Sequence, residues 1–205
     1  MFFFIAFSLI IISMNVKRIQ TFFIILMLLS SVLLFCEPRI SIETNYYSLY
    51  STSESGLRKE MNKKGIHWTD GATYDAFTTW YVKWRYEYYS RDGYCSLDTV
   101  DVSVDVEYTL PKWAVKSIGS RETRIKWIRY SDALKKHEDG HRNFGIGAAR
   151  KIEAALLSIG SRPRCDTLGA DANAVAYRIL DDFRRKEIEY DRKTGHGRTQ
   201  GAVFP

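Results

Sequence analysis

Residues 137–141 read His-Glu-Asp-Gly-His. Helix positions four apart share a face, so His137 and His141 can present imidazole nitrogens to one metal ion. Glu138 follows about 100° around the helix from His137, close enough to orient a water on that ion. Two histidines and an adjacent carboxylate at this spacing form the H-E-x-x-H arrangement, two zinc ligands plus a general base. Such a short pattern specifies chemistry only if the segment is helical and turns that face inward.

The flanking residues predict such a helix. Residues 121–160 contain no proline, and Trp127, Tyr130, Leu134, His137 and His141 recur at alternating steps of three and four. That is one continuous helical stripe carrying both histidines, with Lys135, Lys136 and Asp139 off it. Phe144, Ala148, Ile152, Ala155 and Leu156 continue the apolar face, and Gly160 with Pro163 supplies a stop. Gly140, Gly145 and Gly147 each weaken the helix by about 1 kcal/mol relative to alanine. A glycine beside a metal ligand admits close approach by another backbone, and Gly140 is read in that role.

Other elements must position this helix. Residues 39–50 are strand-like in β-branched and aromatic content. Ser53 or Ser55 can cap a short helix containing Leu57 and Met61 and ended by Gly65. Residues 73–89 alternate, with Trp80, Val82, Trp84, Tyr86 and Tyr88 on one face and Lys83, Arg85 and Glu87 on the other. Residues 99–108 alternate more strictly, valines against acids and serine, and Ser90–Leu97 links the two runs into an antiparallel hairpin. Pro111 is read as the end of the second strand. After a loop containing Cys165, Asp171 can cap a last helix to about Tyr190, with Val175, Ile179 and Phe183 on its buried side; residues 191–205 read as a glycine-rich tail. Strands first and helices later predict an α+β fold, an antiparallel hairpin or small sheet packed on two long helices, one carrying His-Glu-Asp-Gly-His.

The chain of 205 residues has 13 Tyr, 11 Phe and 5 Trp, a globular composition. Its formal charge of +6 is mild, its basic residues form no long run, and no nucleic-acid motif is present. Residues 2–12 and 22–35 are apolar, separated by Met14-Asn-Val-Lys-Arg. Neither run reaches the ~20 residues of a membrane-spanning helix. Residues 1–36 are therefore read as a signal peptide or N-terminal anchor, with a true start at Met14, and residues 37–205 as a single domain exported to the periplasm or beyond. Phe35 before Cys36 disfavours lipidation. In an oxidising compartment Cys95 and Cys165 would pair, tying the hairpin turn to the segment after the metal helix.

The chain resembles the DUF922 family of bacterial exported proteins, described as predicted secreted zinc-dependent proteases. The resemblance runs from about Tyr46 to the C-terminus. It rests on Thr78-Thr79-Trp80 with Trp84, Cys95, Thr109-Leu110-Pro111-Lys112-Trp113, Trp127, His137-Glu138-Asp139-Gly140-His141, Cys165 and Tyr190-Asp191-Arg192-Lys193-Thr194-Gly195-His196-Gly197. It implies a zincin-like hydrolase whose cofactor is Zn2+.

Catalytic zinc commonly has three protein ligands and an open position. The position six residues after His141 is Gly147, which excludes the metzincin pattern. His196 is the preferred third ligand. It lies outside any amphipathic pattern, between Gly195 and Gly197, in a segment to which the resemblance also points. Asp191, Glu153, Glu187 and Glu189 are the alternatives. His67 is read as structural, and Tyr190 as packing the last helix.

The sequence thus predicts zinc-assisted hydrolysis of peptides or proteins in the cell envelope, with Glu138 as general base. An exposed edge of the 99–108 hairpin would align the substrate. No nucleic acid is expected as a partner, and a membrane only through a retained N-terminal segment. The competing readings are a non-catalytic exported zinc-binding or envelope interaction protein, and a zinc hydrolase of a non-peptide amide or ester.

Overall fold

The structure is a computed structural model that describes residues 37–69 and 71–205. The leader or anchor and the Met14 start fall on residues 1–36, outside the described residues. Three strands form the main sheet in the order β1 (Arg39–Leu49), β5 (Tyr94–Trp113), β4 (Phe77–Arg91); β1 runs parallel to β5, and β4 antiparallel to it. A short helix α1 (Glu54–Lys64) and a small ribbon, β2 (Ile66–His67) with β3 (Thr73–Tyr74), lie between β1 and β4 in sequence. Two long helices follow, α2 (Arg121–Leu157) and α3 (Cys165–Thr194), which makes the fold α+β.

The alternation read in the sequence places the sheet's inner face. Val102, Val104, Val106 and Tyr108 of β5 are buried, and Trp84, Val82 and Trp80 of β4 stand opposite Val102, Val104 and Val106. Helix α2 packs on that face. Ser120 caps it by accepting from the Thr123 amide, and Trp127, Tyr130, Leu134, Ala148, Ile152 and Leu156 are buried along one side. Gly145 lets α2 approach β4, because a Cβ there would meet the Trp80 side chain at 2.7 Å. Helix α3 buries Leu168, Ala172, Ala176 and Leu180, and hydrogen bonds from Trp84 Nε1 to Asn173 Oδ1 (2.9 Å) and from Tyr86 to the Gly169 carbonyl (3.2 Å) tie it to β4. The expected Val175, Ile179 and Phe183 flank this stripe and are only half-buried.

Several boundaries differ from expectation for definable reasons. Asp92 (φ 52°) and Gly93 (φ 77°) close the β4–β5 hairpin as a two-residue turn, so both strands run further than the expected 90–97 link allows. Pro111 does not end β5. Pairing with β4 stops at Thr109–Phe77, and beyond it the strand has only the parallel neighbour β1, so one ladder donor can be spared. Strand β5 is central, so its 99–108 segment has no exposed edge; within the hairpin the outer edge is that of β4, and β1 forms the opposite edge of the sheet. Helix α3 begins at Cys165 rather than Asp171, whose carboxylate instead accepts from Arg162 Nε at 2.7 Å. It also extends past Tyr190 to Thr194, and Phe204 of the following tail is buried against Trp127 and Tyr130.

Cys95 and Cys165 form a disulfide across a sequence separation of 70, beside the backbone pair Cys95–Arg162. It pins the start of β5 to the start of α3. Replacing both cysteines by serine is expected to lower the unfolding free energy by about 3–5 kcal/mol in the chain-entropy account. Denaturant titration measures this, and a loss under about 1 kcal/mol would mean that the unfolded chain is not constrained by the bridge. Among the described residues no helix is long and apolar enough to cross a membrane.

Candidate metal centre

Helix α2 carries His137 and His141 one turn apart on its inner face, and both are buried. Helix α3 crosses there with Glu187 and Asp191, themselves four residues apart. Asp191 Oδ1 lies 3.2 Å from His137 Nε2 and 3.1 Å from His141 Nε2, and the two Nε2 atoms are 3.3 Å apart. Two imidazole nitrogens and one carboxylate oxygen thus converge on one point, a group that could hold a metal ion.

The other ring nitrogens face outward to acceptors. His141 Nδ1 is 2.9 Å from Glu187 Oε1, which also receives Trp80 Nε1–H at 2.9 Å. His137 Nδ1 is 3.0 Å from Gln200 Oε1. Each Nδ1 thus faces an outer acceptor, the arrangement that orients a histidine ligand with Nε2 toward a metal, and each Nε2 also lies within hydrogen-bond reach of Asp191 Oδ1. Glu138 is buried beside them, and Thr78 of β4 donates to its Oε2 at 2.6 Å.

Burial works against charge on Asp191, but hydrogen bonds from both histidines outweigh it and hold its pKa below the ordinary carboxylate range. Burial also opposes protonation of His141; bonds to Asp191 and Glu187 prevail and push its pKa up to about 10. Glu138 goes the other way. Its burial raises its pKa, against the Thr78 hydrogen bond and the neighbouring histidines.

The remaining residues singled out in the sequence fall into place around this group. His196 is displaced from it. Its backbone is left-handed (φ 54°), its side chain is 53 % exposed and packs on Tyr74, and its Nδ1 is 3.6 Å from the far oxygen of Asp191. Glu189 points outward and pairs with Arg192 and Lys193. Glu153 is buried on α2, but twelve residues beyond His141, about 18 Å along the helix. His67 bridges Thr73 Oγ1 of the small ribbon and the Lys63 carbonyl of α1, away from this group. Tyr190 stacks on His137 (13° between planes) and donates to the His137 carbonyl at 3.1 Å. It is the Tyr190 ring, not a neighbouring backbone, that requires Gly140: a Cβ there would lie 2.3 Å from the hydroxyl. Thr78, Glu187 as an outer partner, and Gln200 were not singled out as site residues in the sequence.

The group opens onto a cleft of about 1150 Å³. One wall comes from the aromatic residues Trp68, Tyr74, Phe77 and Tyr81, the other from α3 and the tail, including Ile188, His196 and Val203. The β4 edge forms part of the rim.

The family described as "Bacterial protein of unknown function (DUF922)" matches residues 44–197. No curated protein and no solved structure matches the chain.

Proposed function

The chain belongs to the DUF922 family, whose description carries no activity, and from the site itself we propose that it is an exported zinc-dependent peptidase. The observation that carries this reading is the convergence of His137 Nε2, His141 Nε2 and Asp191 Oδ1 beside a buried glutamate, at the floor of an open cleft. Two imidazoles and a carboxylate are an ordinary zinc donor set, and an open side separates a catalytic site from a closed structural one. A zinc ion bound there would polarise the scissile carbonyl and bring a water to a pKa near 7.

The chain's own groups do the rest. Glu138 accepts the proton of the attacking water and passes it to the leaving nitrogen. Its burial favours the protonated form and so eases the first transfer, from the water, while Thr78 fixes the carboxylate's direction. An extended peptide can add to the unpaired edge of β4, with its side chains meeting the aromatic wall. Export is supported by the Cys95–Cys165 disulfide and by the apolar character of residues 2–12 and 22–35. Peptides or proteins of the cell envelope are the substrates this location supplies.

Purified protein reconstituted at neutral pH is expected to retain about one zinc per chain. It should cleave an unfolded protein such as casein, lose that activity to a chelator, and regain it with added zinc. Failure to retain zinc would remove the reading altogether; zinc without cleavage of any peptide or protein would leave only a binding site.

A further inference from the structure

Residues 198–205 lie beyond the part of the chain that the family matches, yet they reach the back of the metal-ligand group. Gly195, His196 and Gly197 all have left-handed backbones (φ 57°, 54° and 80°) and turn the chain from the end of α3 back over α2. Gly197 passes so close to His137 that a Cβ would meet its Cγ at 2.9 Å. A 3-10 turn (Arg198–Gln200) follows, and Phe204 anchors the tail between Trp127 and Tyr130. This path delivers Gln200 to the outer nitrogen of His137.

Gln200 Oε1 faces His137 Nδ1 at 3.0 Å, where Nδ1–H is the matching donor. The Tyr190 hydroxyl lies beside the same amide, 3.1 Å from Nε2 and 3.2 Å from Oε1, and donates to the His137 carbonyl at 3.1 Å. The reversed amide would put an N–H against Nδ1 and demand the Nε2–H tautomer, whose proton would occupy the ligand position. Tyr190 cannot swing away freely, because it is stacked on His137 and fitted over Gly140.

We infer that Gln200 is a positioning residue for the metal centre: its amide oxygen accepts from His137 Nδ1–H and so turns Nε2 toward the ion. The two histidines then have unlike outer partners, a neutral amide for His137 and a carboxylate for His141. The inference rests on the metal site proposed above and is independent of whether peptides are the substrate.

The test compares zinc dissociation constants, measured by competition with a chromophoric chelator, for wild type, Gln200→Met and Gln200→Glu in the full chain. Methionine keeps the length without a strong acceptor; glutamate restores an acceptor that cannot be reversed. Gln200→Met should bind zinc about 10–100-fold more weakly, while Gln200→Glu binds at least as tightly as wild type. Nitrogen-15 spectra of the zinc-loaded proteins supply a reading that mere loosening of the tail would not give. The His137 Nδ1–H should exchange slowly with water in wild type and Gln200→Glu, and fast in Gln200→Met. Unchanged zinc affinity in Gln200→Met, or no rescue by glutamate, overturns the role of Gln200 while leaving the metal site standing. A wild type that binds no zinc overturns both.

Discussion

Replacing Glu138 by glutamine should leave zinc content unchanged and reduce peptide hydrolysis by about 10²–10⁴-fold, the usual contribution of a positioned acid–base group. The substitution is close to isosteric, and Thr78 can still donate to the amide oxygen as it donates to Oε2 now. Glu138 is not among the three converging donors, so metal retention should not depend on it. Metal analysis and a casein-cleavage assay on the same preparation separate the two effects. Full activity in Glu138→Gln would remove the residue from the mechanism. Loss of zinc together with activity would make it a ligand rather than a base.

The α2 half of this site was legible because one residue stripe served both packing and chemistry. Trp127, Tyr130 and Leu134 fix which face of the helix is inward, and His137 and His141 continue the same stripe. The α3 half follows the same rule but was cut short. Leu168, Ala172, Ala176 and Leu180 are the buried stripe, and Glu187 and Asp191 extend it at helical steps. Ending the helix at about Tyr190 assigned Asp191 to a tail, where its place on the inner face could not be read. Basic residues in the last turn and the left-handed Gly195 were the available signals for the later end.

Long-range geometry was less accessible. Local alternation located β4 and β5, but whether β5 was an edge or a centre depended on β1, more than fifty residues away, coming to lie parallel beside it. The tail looked unstructured because its buried anchor, Phe204, belongs to a short Ala-Val-Phe-Pro run after glycines and polar groups, too short to show a period. Thr78 and Gln200 act through hydrogen bonds across 60 and 63 residues, and nothing in their local sequence marks them.

Asp191 should prove to be the third protein ligand, and the comparison with its neighbours is sharp. Asp191→Asn removes the charge that both Nε2 atoms face and is expected to weaken zinc binding by more than about 100-fold, beyond the ~10–100-fold that loss of an outer partner costs. Glu187→Gln, which touches only His141 Nδ1 and Trp80, should fall within that smaller range. His196→Ala should stay within about threefold of wild type, because its mostly exposed ring packs on Tyr74 and reaches only the outer oxygen of Asp191 in the metal-ligand group. The order matters more than any single value. If His196→Ala loses zinc and Asp191→Asn keeps it, the tail must rearrange to bring the imidazole inward, and the ligand set becomes three histidines. If both lose zinc, the aspartate and the histidine close a four-donor site, and the open position that hydrolysis requires is gone. Retention by His196→Ala with loss in Asp191→Asn leaves two histidines, one carboxylate and a free side toward the cleft, the arrangement on which the proposed hydrolysis depends.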